Sequence, residues 1–476
     1  MSTRTDRNAG TGDISSKAHR LSRREFIRLA SVAAGGAVLA SCAPVATQAP
    51  AATAPAATAP ATSAAVVPTA AAATSAPPTA ANLTGTLETW TPDTRDDALA
   101  SEKWWAGEFN KKYPNVKINQ LIVPYGDDTT KLVAGDKAGV VPDMMYAYSE
   151  FLYTYGADGV AQPVDDVIDA IGRSRFIPSA LAGITLGGKI YTVPQTGFPF
   201  FIYYRKDLYA KMGLKPPTTH DELLANIKAV HNPPTLYGYM VTNQAVSDVW
   251  NLKSAMWTHG AYYFDQAGNL ALNRPETLAA WTFYKALAAF TPPGSMAQSD
   301  LESRQLYTDG KVAHMLTTTS EAANFTPGTI SRYGGFLYPQ MPGAKGASMD
   351  MQGNIIPTKA KSPENARAAI EFIFDPANFQ EYLARTVVGW VPMLADAYTD
   401  AYLNNPRVAL VREFIELGLE SAKSGVFGAG YFGPSKNESV LVSTDIEKQI
   451  GDRLVVQNQD PQQVLDFAVK TIQAAM

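Results

Sequence analysis

The chain predicts an α/β fold in two domains. Strand-like and helix-like stretches alternate from Leu83 onward. The foldable part, 83–476, is too long for one small core and suits two. The composition, 10% aromatic and 18% charged, is that of a globular α/β protein.

Each element has a local reason. Leu83–Trp90 alternates apolar and polar residues and runs into Thr91-Pro92-Asp93, a strand entering a turn. Helical spacing follows over Leu99–Tyr113, then a strand at Val116–Val123, a helix at Asp127–Lys137 and a strand at Asp143–Tyr148. Alternating β and α units predict a mostly parallel sheet with right-handed crossovers and helices on its faces. Downstream, Thr219 to Glu222 forms a capping box ahead of Leu223, Leu224 and Ile227. Ser362-Pro363-Glu364 gives an N-cap, a proline in the first turn and an acid; Ala366, Ala369, Ile370, Ile373 and Phe374 line one face behind it. Asp460-Pro461 opens a last helix with the stripe Leu465, Ala468, Val469 and Ile472.

The first 82 residues are of another kind. Arg23 and Arg24 precede an uncharged run, Leu29 to Ala40, that closes in Leu39-Ala40-Ser41-Cys42. The paired arginines resemble a twin-arginine export signal, and the closing tetrapeptide resembles a bacterial lipobox, in which the cysteine is lipidated before cleavage. This implies a signal peptide over 1–42 and a mature protein outside the cytoplasmic membrane, anchored through lipidated Cys42. The run is shorter than the ~20 residues that a membrane span needs. Cys42 is the only cysteine, which excludes disulfides and cysteine-based metal sites within one chain. Residues 43–82 are Ala, Pro, Thr, Ser and Val with almost nothing else and no charge, a disordered tether reaching roughly 40 Å as a coil and up to about 120 Å as polyproline II. The net charge is −4 overall and +4 over 1–42, leaving −8 on the mature body. An acidic body without basic clusters argues against nucleic acid as a partner.

The ordered motifs of the body carry a resemblance. Val141-Pro142-Asp143-Met144-Met145 is followed by Tyr155-Gly156-Ala157-Asp158-Gly159. Gly187-Gly188-Lys189-Ile190-Tyr191-Thr192-Val193-Pro194 leads to Ile202-Tyr203-Tyr204-Arg205-Lys206-Asp207-Leu208, Gly213-Leu214 and Pro216-Pro217-Thr218. Asp309-Gly310-Lys311-Val312-Ala313-His314-Met315, Pro339 to Gly343, Gly353-Asn354-Ile355-Ile356-Pro357 and Ser362-Pro363-Glu364 complete the set. In order and spacing these resemble the extracellular solute-binding proteins of family 1, the receptors that feed sugars to ABC importers. Tyr204-Arg205 replaces the family's Tyr-Asn and His220 its Trp. Thr317-Thr318-Thr319-Ser320-Glu321 stands where many maltodextrin receptors carry Gly-Pro-Trp, which weighs against a maltodextrin ligand.

The resemblance implies a type II periplasmic binding protein with solute held in a cleft between two lobes. Strand crossings then fall near Gln195–Phe198, Met351–Gly353 and Ala395–Tyr398. Lobe one is 83–195 plus 353–397, and lobe two is 196–352 plus 398–476. It also implies a carbohydrate solute, a membrane permease as partner, hinge closure on the ligand, a monomer, and no cofactor.

A sugar presents hydroxyls at its rim and C–H groups on its faces, so its site needs aromatic rings beside carboxylate, amide and hydroxyl groups. In open α/β sheets that site lies beyond the carboxyl ends of the strands. This selects Trp90 and Asp93 after the first strand, Tyr125 after the second, and Tyr148, Ser149 and Glu150 at the third. At the crossings it selects Phe198, Gln352 and Asn354, with Tyr431 in a glycine-rich loop near the third. Trp250 and Asp248 fall where the family places a stacking aromatic and an acid, and Ser320 and Glu321 replace its Trp loop. Trp257, Tyr262 and Trp281 are expected in the core, and Trp390 is assigned to lobe packing ahead of the cleft.

Catalytic patterns are sparse. The five histidines (19, 220, 231, 259 and 314) form no HExxH spacing, and no G-x-S-x-G elbow, phosphate loop or dinucleotide fingerprint occurs. Two alternatives stay open: a receptor that reports to a membrane sensor, and a secreted carbohydrate-active enzyme whose paired carboxylates sit among the 41 acids of the mature chain.

Overall fold

The computed structural model describes residues 83–476 except 125–126, 149–154, 157, 244–248, 428–429 and 436. Arg23, Arg24, Cys42 and the tether lie outside the described residues, as do Tyr125, Ser149, Glu150 and Asp248.

Eleven strands occur among the described residues. They are β1 (Gly85–Thr91), β2 (Val116–Ile122), β3 (Met144–Tyr148), β4 (Thr185–Leu186), β5 (Lys189–Ile190), β6 (Val193–Arg205), β7 (His314–Thr318), β8 (Tyr333–Phe336), β9 (Ser348–Ile355), β10 (Val391–Pro392) and β11 (Val426–Phe427). Nine join one sheet in the order β10-β6-β9-β3-β1-β2, with β11 on β9 and both β7 and β8 on β6. The expectation of a mostly parallel sheet needs correction. β1 pairs in parallel with β2 and β3, and β11 with β9. The remaining pairings in the sheet are antiparallel. The βα alternation at the start of the chain builds the parallel part. The rest is added by β6, which runs against all its partners, and β9, which runs against β3 and β6 but with β11.

β6 organises the molecule. All thirteen of its residues are buried, as a strand covered on both faces should be. Its first half pairs with β9 and its second half with β7 and β8. Along the second half the side chains alternate. Phe201 and Tyr203 enter one core, with Trp105, Phe109, Phe372 and Phe414; Phe200, Ile202 and Tyr204 enter another, with Trp257, Trp281 and Tyr284. Gln195 forms a register shift between Pro194 and Thr196, and its Oε1 accepts from Asn354 Nδ2 at 2.6 Å. Gly353 of β9 lies so close to β6 that a Cβ there would overlap the Val193 carbonyl oxygen.

The helices follow the sequence reading with small shifts. Asp96–Lys112 packs Trp105 and Phe109 inward, and Phe109 meets Phe372 of Pro363–Phe374 edge to face at 5.6 Å. Thr219 caps His220–Val230 by accepting from Glu222 N at 3.2 Å, but the reciprocal bond is displaced: Glu222 accepts from Thr218 N at 2.7 Å. Ser362 makes no side-chain cap. Asp143, just before β3, instead holds the chain entering that helix, with Oδ1 accepting from Lys361 N and Ser362 N at 2.7 Å and Oδ2 from Glu88 N at 2.9 Å. One carboxylate thus ties a helix start to β1 and β3. Asp460 caps Pro461–Ala475 as expected, through Gln462 N at 2.9 Å.

Candidate functional site

The chain leaves β1 at Thr91 and re-enters regular structure at Asp96, so Asp93 sits in the short bend between strand and helix. Its side chain is 7% exposed. Burial pushes its carboxyl up to about 7, against the pull of the Arg95 guanidinium and of the Gln352 amide. Glu102, farther along the same helix, accepts from Trp105 Nε1 at 2.7 Å. Its carboxyl is also pushed up to about 7, first by burial and further by the charge of Asp93. Gln352 of β9 is fully buried, and neither its Oε1 nor its Nε2 has a hydrogen-bond partner.

Beside this polar group lies a small apolar cluster, separate from the two large cores, made of Ala98, Tyr146, Phe198, Val387 and Trp390 with half-buried Tyr148 against it. Tyr148 stacks on Phe198 at 6.1 Å and 24°, and Phe198 meets Trp390 edge to face at 5.5 Å and 87°. The guanidinium of Arg95 lies 5.8 Å from the centroid of the Trp390 ring. Beneath the rings, the hydroxyls of Tyr146 and Thr196 are 2.6 Å apart. Asp93, Tyr148, Phe198 and Gln352 come together here because the carboxyl ends of β1 and β3 meet the paired run of β6 and β9; Tyr148 and Gln352 are register partners.

Other candidates are placed elsewhere. Trp250, half-buried at the start of the helix Trp250–Thr258, packs on Phe200 at 5.1 Å, with the Lys253 ammonium 5.1 Å from its ring. Trp250, Phe200, Met240, Thr242, Asn251, Met315 and Leu316 line a small cavity next to β6. Ser320 sits in a turn whose neighbour Thr319 lies against Gly389, immediately before Trp390; a Cβ on Gly389 (φ 94°) would meet Ser320 Cα at 2.8 Å. Glu321 points into the protein, where it accepts from Arg304 at 3.5 Å and from Asn324 at 3.2 Å. The amide of Asn354 is bound to Gln195. Trp90 is half-buried against Leu132, Met145 and Tyr155, with the Lys131 ammonium 4.8 Å from its ring. Tyr431 joins Tyr262 (5.3 Å) and Phe432, and its hydroxyl accepts from Lys345 N at 3.1 Å. Trp257 and Trp281 are buried, as expected of core residues.

Residues 104–409 match the sequence model of the family described as bacterial extracellular solute-binding protein. The chain belongs to that family. A protein of Brucella abortus (strain 2308) named as a binding protein is 28% identical over 316 residues, 63% of this chain and 74% of its own. The mannitol-binding protein of Pseudomonas aeruginosa is 26% identical over 285 residues, 56% of this chain and 63% of its own. The solved structure of an ABC transporter solute-binding protein from Thermotoga lettingae TMO, bound with alpha-D-tagatose, is similar at TM-score 0.69 and 18% identity, covering 82% of this chain and 99% of that one. This solute-binding protein therefore has the two-lobe α/β fold of type II periplasmic binders. Among its described residues no helix is long and apolar enough to cross a membrane, and no group of three or more His, Cys, Asp or Glu is arranged to hold a metal.

Three residues of the candidate site, Arg95, Glu102 and Tyr146, escape a reading of the sequence alone. Trp390, expected to pack the lobe, is buried in that cluster accordingly, against Phe198, Tyr146 and Arg95. Arg95, Glu102 and Tyr146 read as a surface charge, a helix acid and a strand aromatic. Only Arg95, two residues beyond Asp93 and outside any regular element, carried a local signal.

Proposed function

We propose that this protein captures a small carbohydrate or polyol between its lobes and hands it to the permease of an ABC importer. The lobes are 83–195 plus 353–397 and 196–352 plus 398–476, and the solute lies where β6 and β9 run side by side. The observation that carries this is the meeting of aromatic rings (Tyr148, Phe198, Trp390) with a buried carboxyl and carboxamide (Asp93, Gln352) at the strand ends. Rings pack on the C–H faces of a sugar while the polar pair bonds its hydroxyls. The solutes named for the mannitol-binding relative and the tagatose-bound neighbour support the same class. Trp250, Ser320 and Asp248 are assigned to lobe two's side of the cleft, and Tyr125, Ser149 and Glu150 to lobe one's, from the sequence. The protein is a monomer without catalytic activity, exported by the twin-arginine route and held at the outer face of the membrane by lipid on Cys42.

Thermal unfolding of the purified protein against sugars, sugar alcohols, amino acids and polyamines tests this. Solute at 100 times its Kd adds about 2.7 kcal/mol of stability. A selective rise in Tm with one sugar or polyol, recovered unchanged afterwards, is the expected result. A selective rise with an amino acid or polyamine, or turnover of the sugar, overturns it.

A further inference from the structure

Asp93 and Gln352 are a mismatched pair. A carboxylate buried among rings needs donors, yet Gln352 Nε2, which faces Asp93 and pulls its pKa down, has no acceptor within 3.5 Å. Among the described residues the one hydrogen bond at Asp93 within 3.5 Å is from its own backbone N–H to Thr91 Oγ1 at 3.4 Å, so its carboxylate is left to Arg95 and the nearby Gln352 amide. The surroundings on every packed element lean the same way. On the helix Asp96–Lys112 stand Asp97, which pairs with Arg407 at 3.3 Å, and Glu102. Tyr146 of β3 and Tyr382 of Pro376–Arg385 stay protonated, held up first by burial. Arg95 is the one cation facing Asp93, and it also lies over the Trp390 ring. This is the balance of a carboxyl that keeps its proton while the site is empty, and burial indeed lifts it to about 7.

We propose that solute capture expels a proton from Asp93, so that the receptor holds its solute more weakly as the surroundings acidify. This rests on the carbohydrate-receptor reading above. A solute hydroxyl donates to the Asp93 carboxylate, Gln352 Nε2 supplies the second donor, and the proton leaves to bulk buffer. No covalent bond in the solute changes. The bound state lowers the carboxyl's pKa, so affinity is full above the value of the empty site and falls below it. The slope approaches about tenfold in Kd per pH unit there.

Two measurements on the full-length protein test this. The first follows aspartate carboxyl carbons by NMR from pH 4 to 9 without solute, in wild type and Asp93→Asn. One carboxyl titrating near neutrality and missing from the variant is expected; an Asp93 already ionised at pH 5 overturns the proposal. The second measures Kd for D-mannitol and D-tagatose between pH 5 and 8.5, with calorimetry in two buffers of different ionisation heat. Weakening on acidification with proton release on binding is expected. Asp97→Asn, which removes the negative charge that raises Asp93, should move the midpoint to lower pH without abolishing binding. A flat wild-type profile, or an unmoved midpoint in Asp97→Asn, overturns the proposal and leaves the receptor reading intact. If neither probe binds at any pH, the carbohydrate reading suffers and the carboxyl titration alone decides here.

Discussion

Asp93 and Glu102 illustrate how position gives a common side chain unusual chemistry. Both are ordinary acids near a helix start, yet burial raises each to about 7; Asp97 adds to the rise of Asp93, and Asp93 to that of Glu102. Gln352 carries the matching cost, since a buried amide without partners loses about 1–3 kcal/mol of solvation. Gln352→Leu keeps the volume and removes that cost. We expect equal or greater stability in urea denaturation and a solute affinity about tenfold weaker at pH 8, where the ionised carboxylate needs the amide donor. Loss of stability with unchanged affinity would mean that the amide serves packing instead. At this scale the sequence was partly legible. Asp93 and Tyr148 were chosen by the rule that ligands meet strand ends, Phe198 by the crossing the resemblance implies, and the structure brings the three together. Tyr146 depends on long-range packing that no local pattern encodes, and Glu321 lies close to the right place but turns inward to Arg304.

Among the elements, β6 and β9 do most to place the site. Their residues were singled out as crossings, yet the sequence did not show one thirteen-residue strand shared between two cores. An apolar run buried on both faces has no alternation relative to solvent, so period-2 patterning is silent there. Strand direction was likewise out of reach: βα alternation predicts parallel neighbours, whereas β6 and β9 enter antiparallel. Gly353 marks their closest approach. Gly353→Ala should cost about 1–3 kcal/mol, read as a lower denaturation midpoint, because backbone on the far side cannot yield as a side chain end can. An unchanged midpoint would show that the two strands have room to separate locally.

For the whole molecule, an α/β body in two lobes was legible because ordered motifs span its length, and the family match over residues 104–409 agrees. Two lobes joined through continuous strands allow a solute to favour one relative arrangement only through contacts that arrangement adds. In the proposed arrangement the aromatic cluster and its buried acid lie between the lobes, so capture should be visible as a change of shape. Small-angle scattering of the purified protein, with and without a saturating solute found by thermal unfolding, reads this. A smaller radius of gyration with solute, abolished in Asp93→Asn at the same solute concentration, is the expected result. An unchanged radius at saturation would contradict capture between the lobes and place the solute on one lobe alone.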